Sequence, residues 1–155
     1  LVEVFVKVNG FYDELLYRKT IANTKMLSAD VSNAYDPKFA SVSDRNNTAY
    51  LSKGIKMEKY TGSRGKSGAS DANSEFFAKI IRVFQENNIP WQTGELGKVD
   101  AGGGGTISAY LAKLGMEVID CGVPVLSMHA PYEVVSKIDL YFTYLAYKAF
   151  IENMD

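Results

Sequence analysis

The second half of this chain switches hydrophobic period four times, and that constrains its fold more than any other feature. Phe76, Phe77, Ile80, Ile81 and Phe84 keep to one face of a helix. Asp71 or Ser70 stands where an N-cap belongs, and Asn87-Asn88 ends the pattern. Ile89 to Thr93 then reads as a strand, with Pro90 suited to a strand start. A glycine run, Gly102 to Gly105, precedes another helix with Ile107, Tyr110, Leu111 and Leu114 as its apolar face. Gly115 falls at its left-handed cap. Met116 to Cys121 is a buried strand. A final helix runs from about Glu133 to Glu152. Val134, Ile138, Tyr141, Leu145 and Ala149 line it, and Val135, Phe142, Ala146 and Phe150 widen the stripe. Helices that alternate with strands specify an α/β fold, a mixed or parallel sheet covered by helices. Ligands of such folds bind at loops beyond the carboxyl ends of strands.

The first half is less regular. Residues 2–8 alternate Val2, Val4, Val6 and Val8 with Glu3, Phe5 and Lys7, which is a strand period, and Asn9-Gly10 is a turn signal. Residues 12–22 suit a helix of modest quality, and Met26 to Ala29 a short buried strand leading to Asp30. Residues 31–48 are polar and irregular, a long loop of the kind that carries function. Residues 49–60 read as extended and Thr61 to Gly68 as a second flexible loop. The length of 155 residues suits one domain with a real core. The opening at Leu1, without a polar lead-in, reads as a piece of a longer polypeptide.

Charge and cysteine content narrow the partners. Seventeen Lys and Arg balance eighteen Asp and Glu, so nothing draws the chain to nucleic acid or an anionic membrane. No apolar run approaches the roughly 20 residues that span a bilayer. A single cysteine, Cys121, forms no internal disulfide, which fits a reducing, cytoplasmic home.

Three segments carry candidate chemistry. His129, the one histidine, lies between a strand and the last helix, and imidazole is the commonest protein ligand for zinc. Asp30 ends an apolar strand, where a carboxylate faces a site or caps a turn. The run Gly102 to Thr106 opens a helix with backbone N–H groups that a ligand can approach. Its spacing is neither a Walker loop nor a Rossmann fingerprint. The loop Gly62 to Gly68 lacks the phosphate-loop glycine spacing as well. A hydrogen-bonded histidine, a turn aspartate and a plain glycine turn are the bland alternatives for the three.

Four segments in order, "SADVSNAYDP", "KYTGSRGKSGASDAN", "PWQTGELGKVDAGGGGT" and "DCGVPVLSMHAPYEVVSK", resemble the aminopeptidase I/aspartyl aminopeptidase family of dinuclear zinc peptidases. The resemblance runs from about Met26 to the end. It implies the carboxy-terminal part of a three-layer α/β/α zinc-peptidase-like catalytic domain with a mixed sheet. It implies two divalent metal ions, zinc with cobalt or manganese as alternatives, and a peptide as substrate. Asp30 maps to a terminal ligand of one metal and His129 to a terminal ligand of the other. Gly103, Gly104, Gly105 and Thr106 map to the lining of the substrate cleft. Lys56 is the nearest match to a lysine beside the substrate side-chain pocket. Residues 56–66 look closer to the branch that prefers neutral or apolar amino-terminal residues. Homo-oligomers are typical of the family.

The departures matter as much. The family's other histidine ligand, bridging aspartate, Glu-Glu pair and dimerisation domain have no match in residues 1–25. No catalytic general base is therefore expected within these residues, and the isolated chain is expected to be inactive. Two alternatives stand beside this reading: an inactive scaffold or interaction domain of the same fold, and a phosphate-binding α/β domain using the glycine loop.

Overall fold

A computed structural model describes residues 2–10, 13–63, 67–98, 100–104 and 106–154. In chain order the elements are α1 (Val2–Val8), α2 (Glu14–Ala22), β1 (Lys25–Ser28), β2 (Ser32–Asn33), a 3-10 helix (Pro37–Val42), β3 (Ile55–Glu58), β4 (Tyr60–Ser63) and β5 (Ser67–Asp71). Then follow α3 (Ser74–Glu86), β6 (Trp91–Thr93), α4 (Ser108–Ala112), β7 (Glu117–Gly122), β8 (Pro124–Leu126), β9 (Val134–Val135) and α5 (Lys137–Asn153). The expected α/β fold with a mixed sheet is present. Its four strands lie in the order β1-β7-β3-β6. β1 runs parallel to β7, β3 parallel to β6, and β7 antiparallel to β3.

The two faces of this sheet differ, because side chains alternate along a strand. Ile55 and Met57 of β3 join Ile119 and Cys121 of β7 on one face. Phe76, Ile80, Val83 and Phe84 of α3 and Ala146 and Ala149 of α5 close over them. Lys56, Glu58, Asp120 and Ser28 occupy the other face and are buried too. Register sets them side by side: Ser28 pairs with Asp120, Glu58 with Asp120, and Lys56 with Gly122. The sheet thus has an oily side and a buried polar side.

The polar side is held by an ion pair. Lys56 Nζ lies 2.7 Å from Glu58 Oε1, with the two side chains 0% and 7% exposed. Ser32 Oγ hydrogen-bonds Glu58 Oε1 and lies 2.5 Å from Lys56 Nζ. Lys56 also reaches the carbonyls of Glu95 at 3.2 Å and Asn33 at 3.5 Å. Burial pushes the Lys56 ammonium below the ordinary lysine range, and the Glu58 carboxylate pulls it back upward.

Several elements differ from the expectation. Residues 2–8 form a helix, not a strand. Among the described residues no strand pairs with them, so their hydrogen bonds close locally: Asn9 N donates to Phe5 O at 3.2 Å, and Lys7 pairs with Glu3 one turn earlier at 2.6 Å. The loop 31–48 contains β2 and a 3-10 helix capped by Asp36, whose carboxylate accepts from Lys38 N at 2.8 Å. Tyr60–Ser63 and Ser67–Asp71 pair as an antiparallel ladder where a flexible loop was expected. Asp71 is drawn to Lys59 at 2.5 Å, and Asn73 caps α3 instead, accepting from Glu75 N at 2.8 Å. The expected apolar face of α4 points outward: Ile107, Tyr110 and Leu114 are exposed. With five residues, α4 is too short to bury a stripe, and it seats buried Ser108 instead.

The last helix begins at Lys137 because Val134 and Val135 pair with β8 as β9. Val134, Ile138 and Tyr141 are exposed, while Phe142, Leu145, Ala146, Ala149 and Phe150 pack on the core. Asp139, in the first turn of α5, is fully buried. Its two oxygens accept from Ser52 N at 2.6 Å and Gly54 N at 2.8 Å, fixing the turn that feeds β3. The calls on Tyr12 and Gly105 lie outside the described residues.

Two stability predictions follow from these buried groups. Asp139→Ala strands the buried Gly54 amide and frees the part-buried Ser52 amide, so a loss of about 2–3 kcal/mol is expected in denaturant unfolding. Lys56→Met leaves the Glu58 carboxylate buried without its cation and costs about 3–5 kcal/mol, while Lys56→Met with Glu58→Leu loses less than the single variant. A double variant at least as unstable as Lys56→Met would contradict the ion-pair account.

Candidate active-site cleft

Loops fastened to the polar side of the sheet through Lys56 enclose a cleft of about 530 Å³. Its wall is built from four segments. Asn33 ends β2, Ala34 and Asp36 follow it, and Phe39 and Val42 come from the 3-10 helix. Leu96, Gly97 and Gly102 to Gly104 form the glycine segment, and Val125, Ser127, Met128 and His129 come from β8 and the turn after it. His129 and the glycine segment, far apart in sequence, therefore share one cleft.

The glycine segment is extended where it meets β4, with Gly104 bridging Gly62 in antiparallel sense. Gly102 is packed so closely on residues 96–98 that a Cβ there would sit 2.5 Å from Leu96 O. The run is needed for close backbone approach, not for a phosphate-binding helix start. Thr106 turns inward. Its Oγ1 donates to Asp120 Oδ2 at 2.9 Å, and Ser108 Oγ lies 2.8 Å from the same oxygen.

His129 is held in the left-handed region at φ +68°, as is Ser127 at φ +57°. A non-glycine residue there is uncommon and persists when its surroundings fix it. His129 N donates to Glu133 Oε1 at 2.5 Å, and Ala130 N to Ser127 O at 2.9 Å, which closes the turn. The His129 side chain is exposed, and no described protein group hydrogen-bonds its ring.

Asp30 is exposed as well, and it does not line the cleft. It precedes β2, whereas His129 follows β8, and β2 and β8 run parallel. The two residues thus flank opposite ends of a small sheet. The Asp30 backbone crosses directly over Gly122, where a Cβ would meet its carbonyl oxygen at 1.7 Å. Its carboxylate has no described protein partner, although its charge helps raise the Tyr147 hydroxyl above the usual range, after burial and Cys121. Tyr147 donates to Cys121 O at 2.8 Å. The Cys121 thiol is itself raised by burial, which fits an inert core thiol.

A carboxylate and an imidazole, each free of protein partners, match the oxygen and nitrogen donors a divalent metal takes. Among the described residues, no group of three or more His, Cys, Asp or Glu is placed to hold a metal. A catalytic zinc usually takes three protein ligands, so these two residues fit as members of a larger set. Lys56 does not line the cleft. It sits beneath the wall, tying Ser32 and Asn33 to Glu95. Sequence reasoning missed Asp120, Ser108 and Glu58. The available signal was an acid at alternate positions inside apolar strands: Glu58 after Met57, and Asp120 between Ile119 and Cys121.

Comparison with known proteins places this arrangement. A probable M18 family aminopeptidase 1 of Clostridium acetobutylicum is 56% identical over 144 residues, covering 93% of this chain and 31% of that protein. The crystal structure of aminopeptidase I from the same organism matches with a TM-score of 0.85 over 91% of this chain and 31% of that one. A Thermotoga maritima aminopeptidase structure of the M18 family matches at 41% identity, with a TM-score of 0.89 over 94% of this chain and 33% of that one. The chain thus spans about a third of the length of these relatives. The model of the aminopeptidase I zinc metalloprotease family (M18) matches residues 4–151, and the chain belongs to that family.

Proposed function

We propose that the protein containing this chain is a metal-dependent aminopeptidase that releases amino-terminal residues from peptides, and that this chain supplies one part of its catalytic domain. The observation that carries the reading is the cleft shared by His129 and Gly102 to Gly104. It sits on a fold whose family is a zinc metallopeptidase one. The Asp30 carboxylate and the His129 imidazole would each hold one of two divalent ions, zinc first among them. When bound, such ions polarise the scissile carbonyl and lower the pKa of a water.

The chain's own residues then bind and orient. Gly102 to Gly104 line the cleft with bare backbone, where a peptide main chain can lie without side-chain obstruction. The left-handed turn at Ser127 and His129 fixes the backbone that carries the imidazole. Lys56 holds the wall beneath the side-chain pocket. Phe39, Val42, Leu96 and Val125 give the cleft an apolar lining, which agrees with a preference for neutral or apolar amino-terminal residues. The proton acceptor for the water comes from outside these residues, as do the remaining metal ligands and the dimerisation domain. The whole protein is a homo-oligomer of the cytoplasm on this reading. No described helix is long and apolar enough to cross a membrane.

One observation favours a second reading, an inactive scaffold of the same fold: Asp30 lies off the cleft that holds His129. Metal content separates the two. In the full-length protein, Asp30→Asn and His129→Ala should each lower bound metal and reduce kcat/KM by roughly 100-fold or more. Full metal content and activity in both variants would contradict the assignment, and a metal-free wild type without activity would favour the scaffold. On a panel of aminoacyl naphthylamides, the full-length enzyme should favour neutral or apolar residues. A preference for Asp or Glu would overturn that part.

A further inference from the structure

Asp120 is an acid in the middle of a core strand, 4% exposed, and stands outside the ion pair of Lys56 and Glu58. Its Oδ2 is the meeting point of two hydroxyls, Thr106 Oγ1 at 2.9 Å and Ser108 Oγ at 2.8 Å. The hydroxyls lie 2.5 Å from each other, so three contacts share two protons. Ser108 N adds a donor to Thr106 Oγ1 at 3.3 Å, and Thr61 Oγ1 stands 3.4 Å from Ser108 Oγ. These are the first described residues after the glycine segment, whose Gly104 also bridges Gly62, next to Thr61.

We propose that Asp120 is a positioning residue for the cleft: through the hydroxyls of Thr106 and Ser108 it anchors the backbone of Gly102 to Gly104 at the wall where substrate lies. The inference rests on reading that cleft as the peptide site. The physical need is specific. Glycine gives up more conformational freedom on ordering than any other residue, so a run of glycines keeps one shape only when both ends are fixed. Residues 96–98 fix the near end by close packing against Gly102, and Gly102 N donates to Lys98 O at 2.7 Å. Asp120 fixes the far end from a strand that cannot move without disturbing the core. Thr106 then acts through its bond to Asp120, and its hydroxyl is not a free substrate contact.

The test uses the full-length protein with Thr106→Val, Thr106→Ser and Asp120→Asn. Thr106→Val removes the donor and keeps the shape. Amide exchange at residues 102–108 should speed by about tenfold, the equivalent of one lost hydrogen bond. KM should rise by about tenfold while kcat and metal content stay within roughly twofold, because binding geometry is lost and the metal site is not. Thr106→Ser should restore both exchange and KM. Asp120→Asn combined with Thr106→Val should speed exchange further than Thr106→Val alone, because Asp120 also accepts from Ser108 Oγ at 2.8 Å. Unchanged exchange in Thr106→Val, or a Thr106→Ser that behaves like it, would overturn the tether. Faster exchange with an unchanged KM would overturn its role at the substrate wall. A wild-type protein that hydrolyses no peptide would fail the peptidase reading alone, since exchange still decides whether Asp120 anchors the segment.

Discussion

The buried contact between Lys56 and Glu58 is the interaction on which the rest of the arrangement depends. Two charges on one side of a central strand, 0% and 7% exposed, are tolerated only because each satisfies the other and Ser32 completes the set. Their presence makes β3 a two-faced strand. Ile55 and Met57 look into the oil beneath α3 and α5, while Lys56 and Glu58 look into a polar layer. That layer fastens β2 through Ser32 and Asn33 and the approach to the glycine segment through Glu95. Both of those segments continue into the cleft wall. A core of hydrocarbon alone would stabilise the sheet but would not fix the loops above it.

The site is made from loops tied down one by one. Asp139 clamps the turn before β3, Asp120 receives Thr106 and Ser108, and Glu133 closes the turn that holds His129. Each uses a carboxylate to accept backbone or hydroxyl hydrogens, a stronger contact than a neutral pair. His129 sits in a backbone conformation that costs energy, and this is acceptable where the surrounding bonds fix it. The division of labour is consistent. The apolar face supplies stability, the polar face supplies geometry, and the Asp30 carboxylate and His129 imidazole, proposed as metal donors, stay exposed with no described protein partner.

Much of this was legible from the sequence, and the failures have physical causes. The amphipathic α3 and the buried β7 follow directly from hydrophobic period. So does the α/β class, which the alternation of helices and strands specifies, and Phe76, Ile80 and Phe84 pack on the sheet beside α5. Residues 2–8 misled because seven alternating residues satisfy a strand template, yet pairing requires a neighbouring strand that the described residues do not offer. The hairpin of β4 and β5 was hidden by glycine and serine, which look like a loop until a partner strand is known. In α5 both stripes are apolar, so sequence could not decide which one faces α3. The Asp30 and His129 motifs were legible as a family resemblance. Asp120 and Glu58 were not, because an acid within an apolar strand gains its meaning only from what lies across the sheet.

On the proposed reading, the loops fastened to the polar side of this sheet belong to a two-metal peptidase site, to which this chain would bring Asp30 for one ion and His129 for the other. Anomalous diffraction from zinc-loaded crystals of the full-length protein tests it most directly. The account predicts two peaks about 3.5–4 Å apart, one bonded by an Asp30 oxygen and the other by a His129 nitrogen at about 2.0–2.2 Å. Peaks that avoid both residues, or a single ion bound by the two together, would contradict it.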